Sequence, residues 1–203
     1  MKKYNISISQ YYKSMWFVVY KTGTRSIHYC LEKHVNPDLQ WPCSHTVSPV
    51  EEEQPINTDV FQRYFTWAFT RNPWDRLVSC FVDKTKKVIG TPWEHAAYSK
   101  YKNHTFKEFI NDIQDDDITQ CDVHHRLQTC LIPPGIEFCG RFEDLQEDFN
   151  FVRDKIGIPQ QQLPHKNKSK HKHYTKYYDE ETKQIVAEKY AEDIEMFGYG
   201  FGE

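Results

Sequence analysis

"WFVVYKTGTRSIHYCLEKH", residues 16–34, decides the fold. Trp16 to Tyr20 is a continuous apolar run, the pattern of a strand buried on both faces in a parallel sheet. From about Thr24 to His34 the pattern changes to that of an amphipathic helix. Between them lies Lys21-Thr22-Gly23-Thr24-Arg25-Ser26, rich in cationic, hydroxyl and glycine residues. A strand, a tight turn at Gly23 and a helix starting at Thr24 place backbone N–H groups at a helix N-terminus. Those groups and the helix dipole both favour negative charge. Lys21 adds a point charge, and Thr22, Thr24 and Ser26 add hydroxyl donors. The junction suits a phosphate or sulfate group, although an ordinary strand-to-helix turn has the same outline. It is not a Walker A loop, in which the lysine follows the last glycine; here Lys21 precedes Gly23.

The rest of the chain repeats the alternation. Phe65 to Thr70 is a second buried strand, and Pro73 then sits where a helix tolerates proline, at its first position. Leu77, Val78, Phe81 and Val82 give that helix an apolar face. Residues 36–60 contain Pro37, Pro42, Pro49 and Pro55 and read as loop with one short helix at most. Thr105 caps a helix whose Phe106, Phe109, Ile110 and Ile113 share a side. A helix is expected from Ile118 to Leu131, then a short strand from Ile136 to Cys139. Leu145, Phe149, Val152 and Ile156 follow at helical spacing, and Gly157 and Pro159 end that helix. The basic segment from His165 to Lys176 reads as exposed, and a last helix runs from about Asp179 to Phe197. Strands alternating with helices predict an α/β protein with three layers and a mainly parallel central sheet.

Bulk properties narrow the class. The 203 residues fit a single domain, 1–203, long enough to bury a core. Aromatics at 15 % favour a folded chain, and a net charge of −3 advertises neither a nucleic-acid nor a membrane binder. No apolar stretch approaches the roughly 20 residues of a membrane span, and the N-terminus is too polar for a signal peptide. The chain therefore reads as soluble and cytoplasmic. Six cysteines lie without CxxC spacing, which predicts buried free thiols rather than a disulfide framework. Cys43 with His45, Cys121 with His124 and His125, and His165 with His171 and His173 lack the paired spacing of a structural zinc site, so no metal is expected.

A second stretch turns the anion-binding outline into a ligand. "FTWAFTRNPWDRLVSCF", residues 65–81, puts Arg71 directly after a buried strand, at the end where α/β proteins bind ligands. Ser79 lies about two turns into the helix that Asn72-Pro73 starts. An arginine fork and a helix-borne serine grip a phosphate well. Arg76 reads as structural, paired with an acidic neighbour. Two anion grips after two strands imply one ligand with two anionic groups.

K-T-G-T-R-S after a strand, followed by F-T-R-N-P-W-D-R-L-V-S, resembles the sulfotransferases that use 3′-phosphoadenosine 5′-phosphosulfate, in particular their carbohydrate-type branch. "DVHHRLQTCLIPPGIEFCGRFEDLQEDF" is similar to that branch's H-x-x-x-Q segment, strand and R-x-E-x-L-x-x-D-F run. "NKSKHKHYTKYYDEETKQIVAEKYAEDIEMFGY" is similar to its C-terminal ending. The resemblance runs from about Trp16 to Tyr199, with Tyr20 in place of the usual proline and Arg25 where the family has Thr or Ser. It implies the P-loop-NTPase-like sulfotransferase fold and sulfuryl transfer to a hydroxyl, with 3′,5′-adenosine bisphosphate as product and no metal. Lys21 would then contact the bridging oxygen of the phosphosulfate. Thr22, Gly23, Thr24, Arg25 and Ser26 would hold the 5′-phosphate, and Arg71 and Ser79 the 3′-phosphate. Lys168 and Ser169, in the basic segment, would close over the nucleotide.

Transfer to an alcohol also needs a base. In several carbohydrate-type relatives it lies in the loop before the R-N-P strand, where this chain has His45. His124 and His125 are alternatives, Glu52 and Glu53 weaker ones; His28 falls inside the first helix and reads as packing or surface. Two other function classes compete. A P-loop-like kinase needs a magnesium-binding carboxylate at a strand end, where this chain offers Arg71. A non-catalytic nucleotide- or nucleic-acid-binding protein would use Tyr174, Tyr177 and Tyr178 to stack bases, which sits poorly with the acidic overall charge. The acceptor, a carbohydrate or another small molecule, is not encoded in any motif. Trp41, Trp74, Trp93, Tyr98 and Tyr101 are either stacking faces for it or core.

Overall fold

The computed structural model describes residues 4–34, 58–87, 96–164 and 172–203. They group into two compact units: Met1–Thr70 with Gln128–Asn167, and Arg71–Leu127 with Lys168–Glu203.

The first unit is built on a four-stranded sheet in the order β1-β2-β3-β4, formed by β1 (Ile6–Ser9), β2 (Ser14–Phe17), β3 (Phe65–Thr70) and β4 (Phe138–Arg141). β2 pairs parallel with β3 and β3 parallel with β4, whereas β1 is antiparallel to β2. The mainly parallel α/β class expected from the sequence is therefore the observed one. Trp16 and Trp67 are register partners and stack with centroids 5.0 Å apart. On their face the sheet is covered by α1 (Thr24–His34) through Ile27, Cys30 and Leu31, and by α5 (Leu145–Ile156) through Phe149, Val152 and Ile156. On the opposite face Phe17 meets Phe61 of the short α2 (Thr58–Arg63), so helices flank both sides. Gly157, at φ +74°, caps α5 as its position predicted.

The second unit is helical. α3 (Pro73–Val82) starts with Pro73 at its first position and continues into a π-helical turn, Asp83–Lys87. α4 (Phe106–Gln114) carries the predicted Thr105 cap, completed as a capping box by Glu108. Phe81 packs on Phe106 and Phe109, and Tyr101 on Phe109. Trp74, Tyr98 and Tyr101 are all at least 95 % buried, so these three of the suggested stacking rings are core.

β2 begins two residues before the expected Trp16–Tyr20 strand and β4 two residues after the start of the expected Ile136–Cys139 strand, and three further readings need correction. β1 was not anticipated: Ile6-Ser7-Ile8-Ser9 is short, and its serines dilute the apolar signal. The expected helix from Ile118 to Leu131 is a series of turns. Asp117 accepts hydrogen bonds from the Thr119 amide and hydroxyl, and Asp122 accepts from the His124 amide; such local side-chain bonds compete with helical ones. The long last helix is two, α6 (Glu180–Lys189) and α7 (Ala191–Phe197). The break falls at Tyr190, which is fully buried and donates its hydroxyl hydrogen to the His125 carbonyl.

The cysteines are also more varied than expected. Cys30, Cys80, Cys121, Cys130 and Cys139 are free, but among them only Cys30 and Cys80 are buried. Among the described residues, no helix is long and apolar enough to cross a membrane.

Candidate functional site

The junction after β2 belongs to the first unit. Lys21 has φ +74° and Gly23 φ +78°, so two left-handed residues within three positions turn the strand into α1. A left-handed lysine is strained, and such strain collects where a backbone must serve a ligand. The Ser26 and Ile27 amides both close on the Gly23 carbonyl, at 2.9 and 3.2 Å. The preceding amides, at the first helical positions, have no intrahelical acceptor by geometry.

The hydroxyls divide. Thr22 is fully buried and donates to the Val19 carbonyl at 2.7 Å, so its side chain builds the turn. Thr24 is half-buried, Ser26 buried and Arg25 exposed. Glycine at 23 is required twice over. A Cβ there would lie 2.5 Å from Leu145 Cδ2 and 3.5 Å from the Phe142 ring, and φ would remain left-handed. Gly23→Ala should therefore destabilise the first unit by about 2–4 kcal/mol, adding the left-handed penalty to overpacking. Urea unfolding of the variant checks this value.

The second grip opens the second unit. Arg71 follows β3 directly, and its Nε and Nη2 donate to Asp75 Oδ2 at 3.0 and 2.8 Å. Asn72 caps α3 by accepting the Trp74 amide, while its own amide donates to the Gly200 carbonyl at 2.7 Å. Ser79 is 7 % exposed, and its hydroxyl makes no hydrogen bond among the described residues. Arg76 is buried and donates to the Arg126 carbonyl at 2.7 Å and the Val123 carbonyl at 3.1 Å. It thereby holds the chain on both sides of His124 and His125.

Those two histidines differ. His125 is 3 % exposed, with Nδ1 2.7 Å from the Tyr98 hydroxyl and Nε2 3.2 Å from Asp116. Burial, against the pull of Asp116, lowers its pKa and favours the neutral ring. With both nitrogens occupied and the ring enclosed, it is not placed to take a substrate proton. His124 keeps its Nδ1 2.7 Å from Asp122 Oδ1, an oxygen that also accepts from Tyr98 at 2.9 Å. Burial would raise the Asp122 pKa, but the bonds from His124 and Tyr98 outweigh it and keep the carboxylate well below its usual range. His28 packs its ring 4.7 Å from Trp16, as a helix-interior residue should. His45, Glu52, Glu53, Lys168 and Ser169 lie outside the described residues, as do Trp41 and Trp93.

The turn with its left-handed lysine thus lies in the first unit, and Arg71, Asp75 and Ser79 lie in the second. The model of the sulfotransferase family matches residues 4–200, across both units. The chain belongs to the sulfotransferase family. It is similar to carbohydrate sulfotransferase 9 of Homo sapiens, 30 % identical over 152 residues that make up 64 % of this chain and 33 % of that protein. It is similar to carbohydrate sulfotransferase 14 of Danio rerio, 26 % identical over 165 residues, 68 % of this chain and 44 % of that one. A protein of Archaeoglobus fulgidus described as uncharacterized matches at 28 % identity over 109 residues, 52 % of this chain and 78 % of its own length. The chain thus spans between a third and a half of the length of the two carbohydrate sulfotransferases. No solved structure matches it.

Two features of this sulfotransferase-family site escaped the sequence reading. The Arg71–Asp75 pair was visible as an i, i+4 spacing in R-N-P-W-D, a known helix pairing distance. The inward-packed Phe142–Leu145 corner behind Gly23 had no local signal, because it joins segments about 120 residues apart in sequence.

Proposed function

We propose that this chain transfers a sulfuryl group from 3′-phosphoadenosine 5′-phosphosulfate to a hydroxyl of a carbohydrate or other small acceptor. The observation that carries this reading is the turn at Lys21–Ser26, which puts a lysine and a helix N-terminus at the end of a buried parallel strand in a sulfotransferase-family chain. In the proposed reaction the acceptor oxygen attacks sulfur in line, and the bond from sulfur to the bridging phosphate oxygen breaks. The electron pair leaves with 3′,5′-adenosine bisphosphate, and the acceptor proton passes to a base. Lys21 stabilises the charge that grows on the bridging oxygen. The amides at the start of α1 and the hydroxyls of Thr24 and Ser26 hold the 5′-phosphate, Arg71 and Ser79 hold the 3′-phosphate, and Lys168 and Ser169 cover the nucleotide. His45 is the proposed base.

The carbohydrate acceptor class rests on the names of the two curated relatives. Its test is to supply labelled sulfate donor with sugars, phenols and aliphatic alcohols. Label is expected on a carbohydrate, with one bisphosphate released per sulfate transferred. Failure to release bisphosphate with any acceptor class would contradict the reading. The donor site is tested separately: Arg71→Ala should weaken 3′,5′-adenosine bisphosphate binding by about 1.5–3 kcal/mol, the worth of a charge-assisted hydrogen bond. Titration calorimetry measures it, and unchanged affinity would remove Arg71 from the site.

A further inference from the structure

We infer that Asp75 is a positioning residue for the 3′-phosphate, setting the preference for nucleotides that carry one; this rests on the proposed role of Arg71. A carboxylate beside an anion site is, by charge alone, unfavourable to the ligand. Its geometry gives it another role. The Arg71 side chain is only 8 % exposed and the Asp75 side chain 18 %, and a charge so enclosed requires a partner.

Both bonds from Arg71 run to the same oxygen, Asp75 Oδ2, from Nε and from Nη2. That fixes the plane of the guanidinium and commits its Nε–Nη2 edge to the carboxylate. The root of the arginine is fixed as well. The next residue, Asn72, caps α3 through Trp74 and is tied to the Gly200 carbonyl. With root and tip both held, much of the rotamer entropy of a long side chain is lost before any ligand arrives.

Asp75 and Ser79 stand four residues apart on one face of α3, and Arg71 precedes the helix cap. Asp75 therefore touches the arginine it orients and sits one helical turn before Ser79, whose hydroxyl makes no hydrogen bond among the described residues. Asp75 touches neither nucleotide nor acceptor in this assignment. It acts through Arg71, by aiming the fork at a phosphate that Ser79 shares.

The bland account is that Asp75 is a first-turn acid that complements the helix dipole. The two accounts separate in one measurement, the ratio of 5′-AMP to 3′,5′-adenosine bisphosphate dissociation constants. A dipole role lowers the melting temperature and leaves the ratio alone. A positioning role narrows the ratio, because the nucleotide lacking the 3′-phosphate makes no use of Arg71.

Calorimetric titration of both nucleotides into the wild-type chain, Asp75→Ala, Asp75→Glu and Arg71→Ala is the test. Asp75→Ala is expected to narrow the ratio about tenfold or more, with Asp75→Glu recovering most of it. Asp75→Asn, which keeps one acceptor oxygen at the same reach, serves if Asp75→Ala does not fold, and should fall between the two. An unchanged or widened ratio in Asp75→Ala, with Arg71→Ala narrowing it, would overturn the inference and leave the Arg71 assignment standing. A wild-type chain that does not distinguish the two nucleotides would overturn both.

Discussion

Lys21→Ala is expected to lower turnover by about 10²–10³-fold or more while leaving 3′,5′-adenosine bisphosphate binding within a few-fold of wild type. The reason is where the charge appears. In the proposed transfer, negative charge accumulates on the bridging oxygen only as the bond to sulfur breaks, so an ammonium placed there stabilises the transition state more than either ground state. The magnitude is that of removing one preorganised electrostatic contact. Stability gives the control. Lys21 sits at φ +74°, and alanine carries the same β-carbon, so the left-handed penalty is unchanged and the melting temperature should stay near wild type. Steady-state kinetics and calorimetry on the same preparation decide the matter. A parallel loss of bisphosphate affinity would show that Lys21 binds rather than catalyses.

His45→Ala is expected to lower kcat by roughly 10²–10⁴-fold, the usual worth of a general base, with donor affinity and melting temperature nearly intact. The acceptor lies on the far side of sulfur from the leaving phosphate, so a base there has little purchase on the nucleotide. The base must be neutral to accept a proton. The wild-type rate should therefore fall as pH drops below the histidine pKa, about 6.5 if unperturbed, and that limb should vanish in His45→Ala. Near wild-type turnover would remove His45 and pass the role to His124, whose ring is oriented by Asp122 at 2.7 Å. His125, 3 % exposed with both nitrogens engaged, would not inherit it.

What was legible in the sequence follows from range of interaction. α1 and β3 were read with their observed bounds, Thr24–His34 and Phe65–Thr70, because long apolar periodicity and a glycine turn are local signals. The Thr105 cap and the Gly157 stop were legible for the same reason. The 118–131 segment was misread because Leu127 and Leu131 are spaced as on a helix, while what shapes it is two aspartate side chains and the carbonyl contacts of Arg76. β1 was missed because an edge strand needs only four residues once β2 is there to pair with it.

The site divided in the same way. Motif order names candidate positions, but it does not announce the contacts each side chain makes. Thr22 reads as a phosphate donor by residue type, yet a turn with left-handed residues at 21 and 23 brings the Val19 carbonyl within its reach. The turns at 118–127 offer Arg76 carbonyl oxygens that no helix would have left open, contacts that residue type alone does not announce.

The central claim, a donor site for a 3′-phosphorylated adenine nucleotide, is tested most directly by ligand-induced stabilisation. 3′,5′-adenosine bisphosphate at about a hundred times its dissociation constant should add about 2.7 kcal/mol, which for a chain of this length raises Tm by about 5–10 °C. ATP with magnesium at the same concentration should give a clearly smaller shift, because this site has Arg71 where a kinase would carry its metal-binding carboxylate. A larger shift with ATP and magnesium than with the bisphosphate would contradict the account.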